Sequence, residues 1–338
     1  MAQDWVHGPT EPLDHIHCNE RFLLRPNWGE TETMAELWSF GGLGWRELFR
    51  RSWNESWRDG VFGHAARLAF YFFLALLPSL LLFWLVLTKL AEAGFELRNV
   101  LSQTLYQILP AQSSGVVSSA LRQSGSAIGL SSLALSVGAA VWAALNGMFA
   151  LITGLNQAYE VEEGRPLWKK FLLALGLLLV WGVMGMIALL LVVFGSRIEL
   201  FAGGGAWRMV GVVVHWVVAF VVLLVAFAIA YRFGPHLEEA EMRWSTPGAV
   251  IGVTIWIASA IGFRLYLERF NSYHRIYGQL DSIAILMLWL YLSGAAILIG
   301  GEVNAVIEHA AADCGDPAAR ARGERQPGGH RHSRRPPA

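Results

Sequence analysis

Between Ser282 and Gly301 the chain carries no Asp, Glu, Lys or Arg. Twenty residues at about 1.5 Å each reach roughly 30 Å in a helix, the thickness of a bilayer's hydrocarbon core. Polar residues bracket the segment. NSYHRIYGQLD (271–281) precedes it and Glu302 follows. In lipid a crossing segment must satisfy its own backbone hydrogen bonds, so this stretch is expected to be a helix. Five more uncharged segments repeat the pattern, at 68–88, 128–152, 171–196, 209–231 and 244–263. The expected fold class is all-α, a six-helix transmembrane bundle. Composition agrees: 15% of the residues are charged, where a soluble chain carries nearer a quarter.

The spans divide the chain. Residues 1–41 read as a flexible cytoplasmic tail, 42–310 as the membrane domain, and 311–338 as a disordered cytoplasmic tail. The N-terminus lacks an apolar stretch of signal-peptide type, so none is expected to be cleaved. Cys18 and Cys314 lie in opposite tails, which gives neither a disulfide framework nor a metal site. His15, His17 and Cys18 lack a further ligand at a recognisable spacing, so no metal or cofactor is expected.

Ahead of the first span, Trp45, Phe49, Trp53 and Trp57 recur every fourth residue. They form one stripe of a helix, with Arg46, Arg50, Arg51 and Arg58 off it. Indoles favour the headgroup zone and arginines favour anionic lipid. This stretch is expected to be an interfacial helix; the alternative is a helix that packs its tryptophans on a protein core. Leu97, Leu101, Leu105 and Ile108, then Val116, Val117, Ala120 and Leu121, mark two short amphipathic helices on the outer surface.

Several polar or special residues fall inside or beside the spans. Pro78 kinks the first span, to shape the bundle or to gate it. Asn146 in the second serves as interhelical glue or faces a polar path. Gly248 and Gly252 form GxxxG, repeated loosely by Ala258 and Gly262, which places the fifth span centrally. Glu302 and Arg67 sit at the same depth and are expected to pair, because a lone charge there is costly.

Charge sets the orientation. With both ends cytoplasmic, 18 of the 26 Lys and Arg residues lie inside, as the positive-inside rule requires. The loop 264–278 resists this. It carries Arg264, Arg269, Arg275 and His274 against Glu268. It either pairs with acidic residues of other outer loops or holds an anion such as a lipid headgroup. The partners expected are membrane lipids. The zero net charge gives no reason to expect nucleic acid, and an oligomer stays open.

Three segments carry a family resemblance: ARLAFYFFLALLPSLLLF (66–83), LNQAYEVEEGRPLWKKFLLA (155–174) and RFNSYHRIYGQLDSIAILMLWLYLSGAAILIGGEVNA (269–305). In these the chain resembles the YihY/BrkB family of bacterial inner-membrane proteins, some once labelled ribonuclease BN. Ala75 stands where that family often has Ser, and Gly301 where it often has Ala. The resemblance implies a six-helix inner-membrane protein and brings no catalytic residue set. The candidate functional or packing positions are Arg67, Pro78, Asn146, Asn156, Arg165, Tyr273, Tyr277, Gly278 and Glu302.

Transport or lipid handling is the first function expected, and a structural role in the envelope the second. The two differ in one respect: a transporter needs Pro78, Asn146, Tyr277 and Glu302 around one wet cavity. Enzyme activity is not expected. A metal-dependent nuclease needs clustered carboxylates and histidines, and no HxHxDH-like run or P-loop occurs.

Overall fold

A computed structural model of the chain describes residues 40–92, 130–201, 206–237, 242–269, 280–316 and 319–324. All regular structure among them is helical. A short turn, Phe40–Gly42, leads into α1 (Trp45–Arg58), α2 (Val61–Glu92), α3 (Leu130–Ala158), α4 (Leu167–Phe201), α5 (Ala206–Phe233), α6 (Met242–Arg269) and α7 (Leu280–Asp313). Five described stretches are long and apolar enough to cross a membrane: Ala134–Ala158, Leu167–Ala188, Val213–Phe233, Pro247–Arg269 and Ile283–Asp313. A shorter apolar stretch, Val61–Leu76, lies in α2. Most expected span positions therefore fall on helices, although the helices run well past the expected ends. The outer helices expected at 97–121 lie outside the described residues.

The centre of the bundle is α7. It packs on α1, α2, α3, α6 and the Phe40–Gly42 turn. Its face from Ala295 to Ala311 is buried almost continuously. Leu298 meets Leu68, Leu151, Leu155 and Tyr231 in the main core cluster. Small residues let α6 approach α7 closely. A Cβ at Gly248 would strike the Gly300 carbonyl oxygen and the Asn304 side chain, and one at Gly252 would meet the Tyr231 hydroxyl at 2.8 Å. The GxxxG half of α6 is thus an interhelical contact. The looser repeat is not, since Gly262 has nothing within 4 Å of an added Cβ. So α6 is central only at its N-terminal end; Ile257, Ile261 and Leu265 on the rest are exposed.

Polar ties fix the register of this contact. Tyr231 on α5 donates its hydroxyl to the Ile297 carbonyl at 2.7 Å. The Gly248 N–H donates to Asn304 Oδ1 at 2.6 Å. Further along, Trp256 Nε1 donates to Ser293 Oγ at 3.1 Å. Hydrogen bonds between helices take the place of the hydrophobic gain that lipid does not offer.

By contrast, α4 and α5 present their outer faces. Leu172, Leu179, Val183, Val213, Trp216 and Val221 are all exposed, as apolar faces turned to hydrocarbon should be. The expected Trp stripe of α1 is also exposed: Trp45, Phe49, Trp53 and Trp57 lie on the open face, with Trp53 edge-on to Trp57 and to Phe62. The opposite face of α1 is buried at Leu48, Ser52, Glu55 and Ser56. The alternative of tryptophans packed on a protein core is therefore not what the helix adopts.

The C-terminal boundary lies beyond the expected residue 310. The last helix continues to Asp313, and Asp316, Ala319, Arg320 and Ala321 are buried. At the front end Gly41 has φ +61, and a Cβ there would run into the Ile307 carbonyl and the Ala311 nitrogen. The turn before α1 is thus pressed onto α7.

The α6–α7 contact gives a clear expectation. Gly248→Ala forces a methyl into backbone, and overpacking of this kind costs about 1–3 kcal/mol. Unfolding in mixed micelles should show that loss. Gly262→Ala, in open space, should behave as wild type.

Candidate functional site

At the expected cytoplasmic end of the bundle, acidic residues from three elements converge. Glu55 lies in the last turn of α1, Asp59 caps that helix, and Glu160 follows α3. One carboxylate oxygen from each lies within 4.8 Å of the others. From α7 comes Glu302, 1% exposed, whose Oε1 has no hydrogen-bond partner. The charges acting on it are those of Asp59, Glu55 and Glu160, with Arg322 opposing.

Cations approach this cluster from two sides. Arg322 reaches Glu55 at 2.6 Å and Glu160 at 3.3 Å. Arg58 pairs with Glu55 at 3.2 Å but is 70% exposed, so its contribution is small. Burial, with the charges of Glu160 and Glu55, pushes the Asp59 carboxyl up to about 6. Burial also raises Glu160. Asp59 Oδ2 is buried and unpartnered. The cluster therefore holds more negative charge than the arginines beside it offset.

Next to it lies a buried ion pair. Arg320 donates to both carboxylate oxygens of Glu308, at 2.5 and 2.6 Å. Both side chains are less than 5% exposed. This pair fastens the segment after α7 and so places Arg322.

Asn156 and Arg165, two of the sequence candidates, are brought together in a second arrangement. Arg165 donates to the carbonyls of Phe233, Gly234 and Pro235, at 3.4, 3.0 and 2.6 Å. Asn156 accepts from the His236 N–H at 2.7 Å and donates to Glu163 at 3.1 Å. The Gly164 N–H completes the set by donating to His236 Nδ1 at 3.0 Å. The α3–α4 loop is thereby clamped on the end of α5. An arginine fork suits such a site because its donors spread over several carbonyls in one plane.

Other candidates are placed apart. Arg67 is exposed, and no ion pair joins it to Glu302 among the described residues. The expected clasp fails because the turn holding Arg67 packs at Gly294, where an added Cβ would meet Leu68 and Ala65, about two helical turns before Glu302. Asn146 donates to the Trp142 carbonyl of its own helix at 2.7 Å, so the expected interhelical bond is not the one it makes. Pro78 is half-buried within α2, and Ser79 Oγ takes the Ala75 carbonyl at 2.7 Å. Tyr273, Tyr277 and Gly278 lie outside the described residues, as do 270–279 of the basic loop. Sequence reading missed Glu55, Asp59, Asn304, Glu308, Arg320 and Arg322. The one available signal was that Glu308 follows Glu302 by six residues on a helix whose other charges, Asp281 and Asp313, lie at its ends.

The family model for the virulence factor BrkB matches residues 52–324. The chain belongs to that family. The match takes in Glu55, Asp59, Glu160, Glu302 and Arg322, and it extends past the tail boundary expected from sequence. Among relatives of this BrkB-family chain is the "ribonuclease-like protein YfkH" of Bacillus subtilis, 34% identical over 248 residues, which is 72% of this chain and 88% of that protein. A "UPF0761 membrane protein" of Pseudoalteromonas atlantica is 28% identical over 75% of this chain and 84% of its own length. A UPF0761 membrane protein of Xanthomonas campestris is 29% identical over 80% of this chain and 60% of its own. No solved structure matches.

Two open grooves complete the described surface of this BrkB-family protein. One, of about 560 Å³, is lined by Ala260, Phe263, Arg264, Leu267, Glu268 and Trp289. The other, of about 700 Å³, lies by Phe149, Leu167, Trp168, Lys170, Phe171 and Leu172. Neither is lined by Pro78, Asn146 or Glu302.

Two outcomes test the supports of the site. Replacing Arg165 by Lys keeps the charge and loses the fork, and should lower stability by about 1.5–3 kcal/mol, the worth of hydrogen bonds to a charged donor. Denaturant titration in detergent reads this. Arg320→Ala removes both hydrogen bonds that Arg320 gives the buried Glu308 carboxylate, and should cost about 3–5 kcal/mol. Limited proteolysis should then cut the chain after α7, where wild type resists.

Proposed function

We propose that this BrkB-family protein handles lipid from within the cytoplasmic membrane, with both chain ends in the cytosol. The observation that carries the reading is the pair of grooves. Each is apolar along most of its lining and includes one cation, Arg264 beside its partner Glu268 at 2.9 Å in one and Lys170, 3.7 Å from Glu163, in the other. An anionic headgroup would compete with those carboxylates for the cation. An acyl chain lying against Phe and Leu, with an anionic headgroup at the cation, is the ligand such a shape suits. Trp168 stands at the start of α4, a span end, and amphipathic rings favour the headgroup level.

A path for a small polar solute has less support. Asn146 bonds within its own helix, and Glu302 lies in a tightly packed part of α7. The excess of Lys and Arg in the segments assigned inside supports the orientation. We assign no catalytic activity.

The test uses purified protein in proteoliposomes. Dye-labelled phosphatidylglycerol should cross the bilayer faster than in protein-free vesicles, and Lys170→Gln with Arg264→Gln should slow it. Anionic lipid should also survive purification, detected by native mass spectrometry. Equal rates with and without protein, together with no retained lipid, would reject lipid handling and leave a structural role in the envelope.

A further inference from the structure

We propose that Glu55, Asp59, Glu160 and Glu302 form a binding site for a hard divalent cation, and that Arg322 occupies part of it as a built-in competitor. This site is separate from the grooves and does not depend on lipid handling.

Three observations converge. First, the carboxylates of Glu55, Asp59 and Glu160 offer oxygens within 4.8 Å of one another. Two oxygens on opposite sides of a calcium ion, at about 2.4 Å each, stand about that far apart. Small side-chain movements would bring them to the closer spacing magnesium or manganese wants. Second, Glu302 is 1% exposed, and its Oε1 has no partner. Its strongest charged neighbours are the same three carboxylates. A buried carboxyl group without a hydrogen-bond partner, in the field of three others, is relieved either by a proton or by a cation shared with them, so the cation would displace protons on binding. Third, the cation present is poorly matched to the task. Arg322 bridges Glu55 and Glu160, and its side chain is 47% exposed. Asp59 Oδ2 is left without a partner.

An all-oxygen donor set, without sulfur or imidazole, selects calcium, magnesium or manganese over zinc or copper. The elements that supply the ligands are α1, the end of α3 and α7. Binding would therefore join the interfacial helix to the bundle centre. Arg322 belongs to the short segment held by the Arg320–Glu308 pair, so its guanidinium is tethered and can swing aside without leaving the protein. The cation and the segment after α7 would then exclude one another. That makes the position of this segment sensitive to divalent cation concentration on the cytoplasmic side.

The experiment is manganese binding to the full chain, purified in detergent and stripped with chelator, followed by loss of the free-ion paramagnetic resonance signal. Wild type should show one saturable site, and added calcium or magnesium should displace the manganese. Glu302→Gln and Glu160→Gln should each weaken binding by about tenfold or more, as loss of a charged ligand does. Arg322→Gln should tighten it several-fold, because the competitor is gone. Glu268→Gln, at the other end of α6, should leave it unchanged. Absence of saturable binding in both wild type and Arg322→Gln would overturn the proposal. So would binding that Glu302→Gln and Glu160→Gln leave within twofold of wild type. Where Glu302→Gln does not yield a monodisperse protein, Glu160→Gln and Arg322→Gln decide. A site that weakens rather than tightens in Arg322→Gln would keep the cation and reject Arg322 as its competitor.

Discussion

Two helices in lipid gain little from hiding apolar surface, because the acyl chains are as apolar as the helices. What holds them is close contact and hydrogen bonding, and here both are concentrated where α6 crosses α7. Gly248, Gly252 and Gly300 let the two backbones touch. Asn304 and Tyr231 then use that closeness to reach a backbone N–H and a backbone carbonyl. Once α7 is fixed in this way, its remaining faces position α1, α2 and α3.

The packing is uneven along the membrane normal. Buried residues gather at the end of α7 that carries Glu302, Glu308 and Arg320, while the outer faces of α4 and α5 stay open. Ionisable groups at that end are unequally paired. Glu308 finds a full partner in Arg320. The cluster around Glu302 does not, because Arg322 reaches only part of it. That contrast separates an ion pair that fastens a segment from a charge excess available for binding.

The interfacial helix links the two themes. Its tryptophan face is exposed and its Glu55 face is buried. One helix thus carries an open aromatic face on one side and the acidic cluster on the other. Any change in occupancy of the cluster would act on the helix that carries this face. The grooves beside Lys170 and Arg264 are lined by other residues, so the proposed lipid and cation sites draw on different side chains.

By itself the sequence determined that the chain is helical and membrane-embedded, because uncharged runs of this length have one stable form in hydrocarbon. It also determined which face of α1 is apolar and that Gly248 and Gly252 mark a close helix contact, since both are local periodicities. It named Asn156 and Arg165 without saying that they meet, and it set Arg67 and Glu302 at one depth. The turn holding Arg67 instead packs at Gly294, about two helical turns before Glu302, because side-chain packing fixes how far one helix slides along another. Only the tertiary structure brought Glu55, Asp59, Glu160, Glu302 and Arg322 together from positions as far apart as 267 residues. That meeting depends on how α1, α3 and α7 turn about their axes, which the packing of side chains sets and no local pattern records.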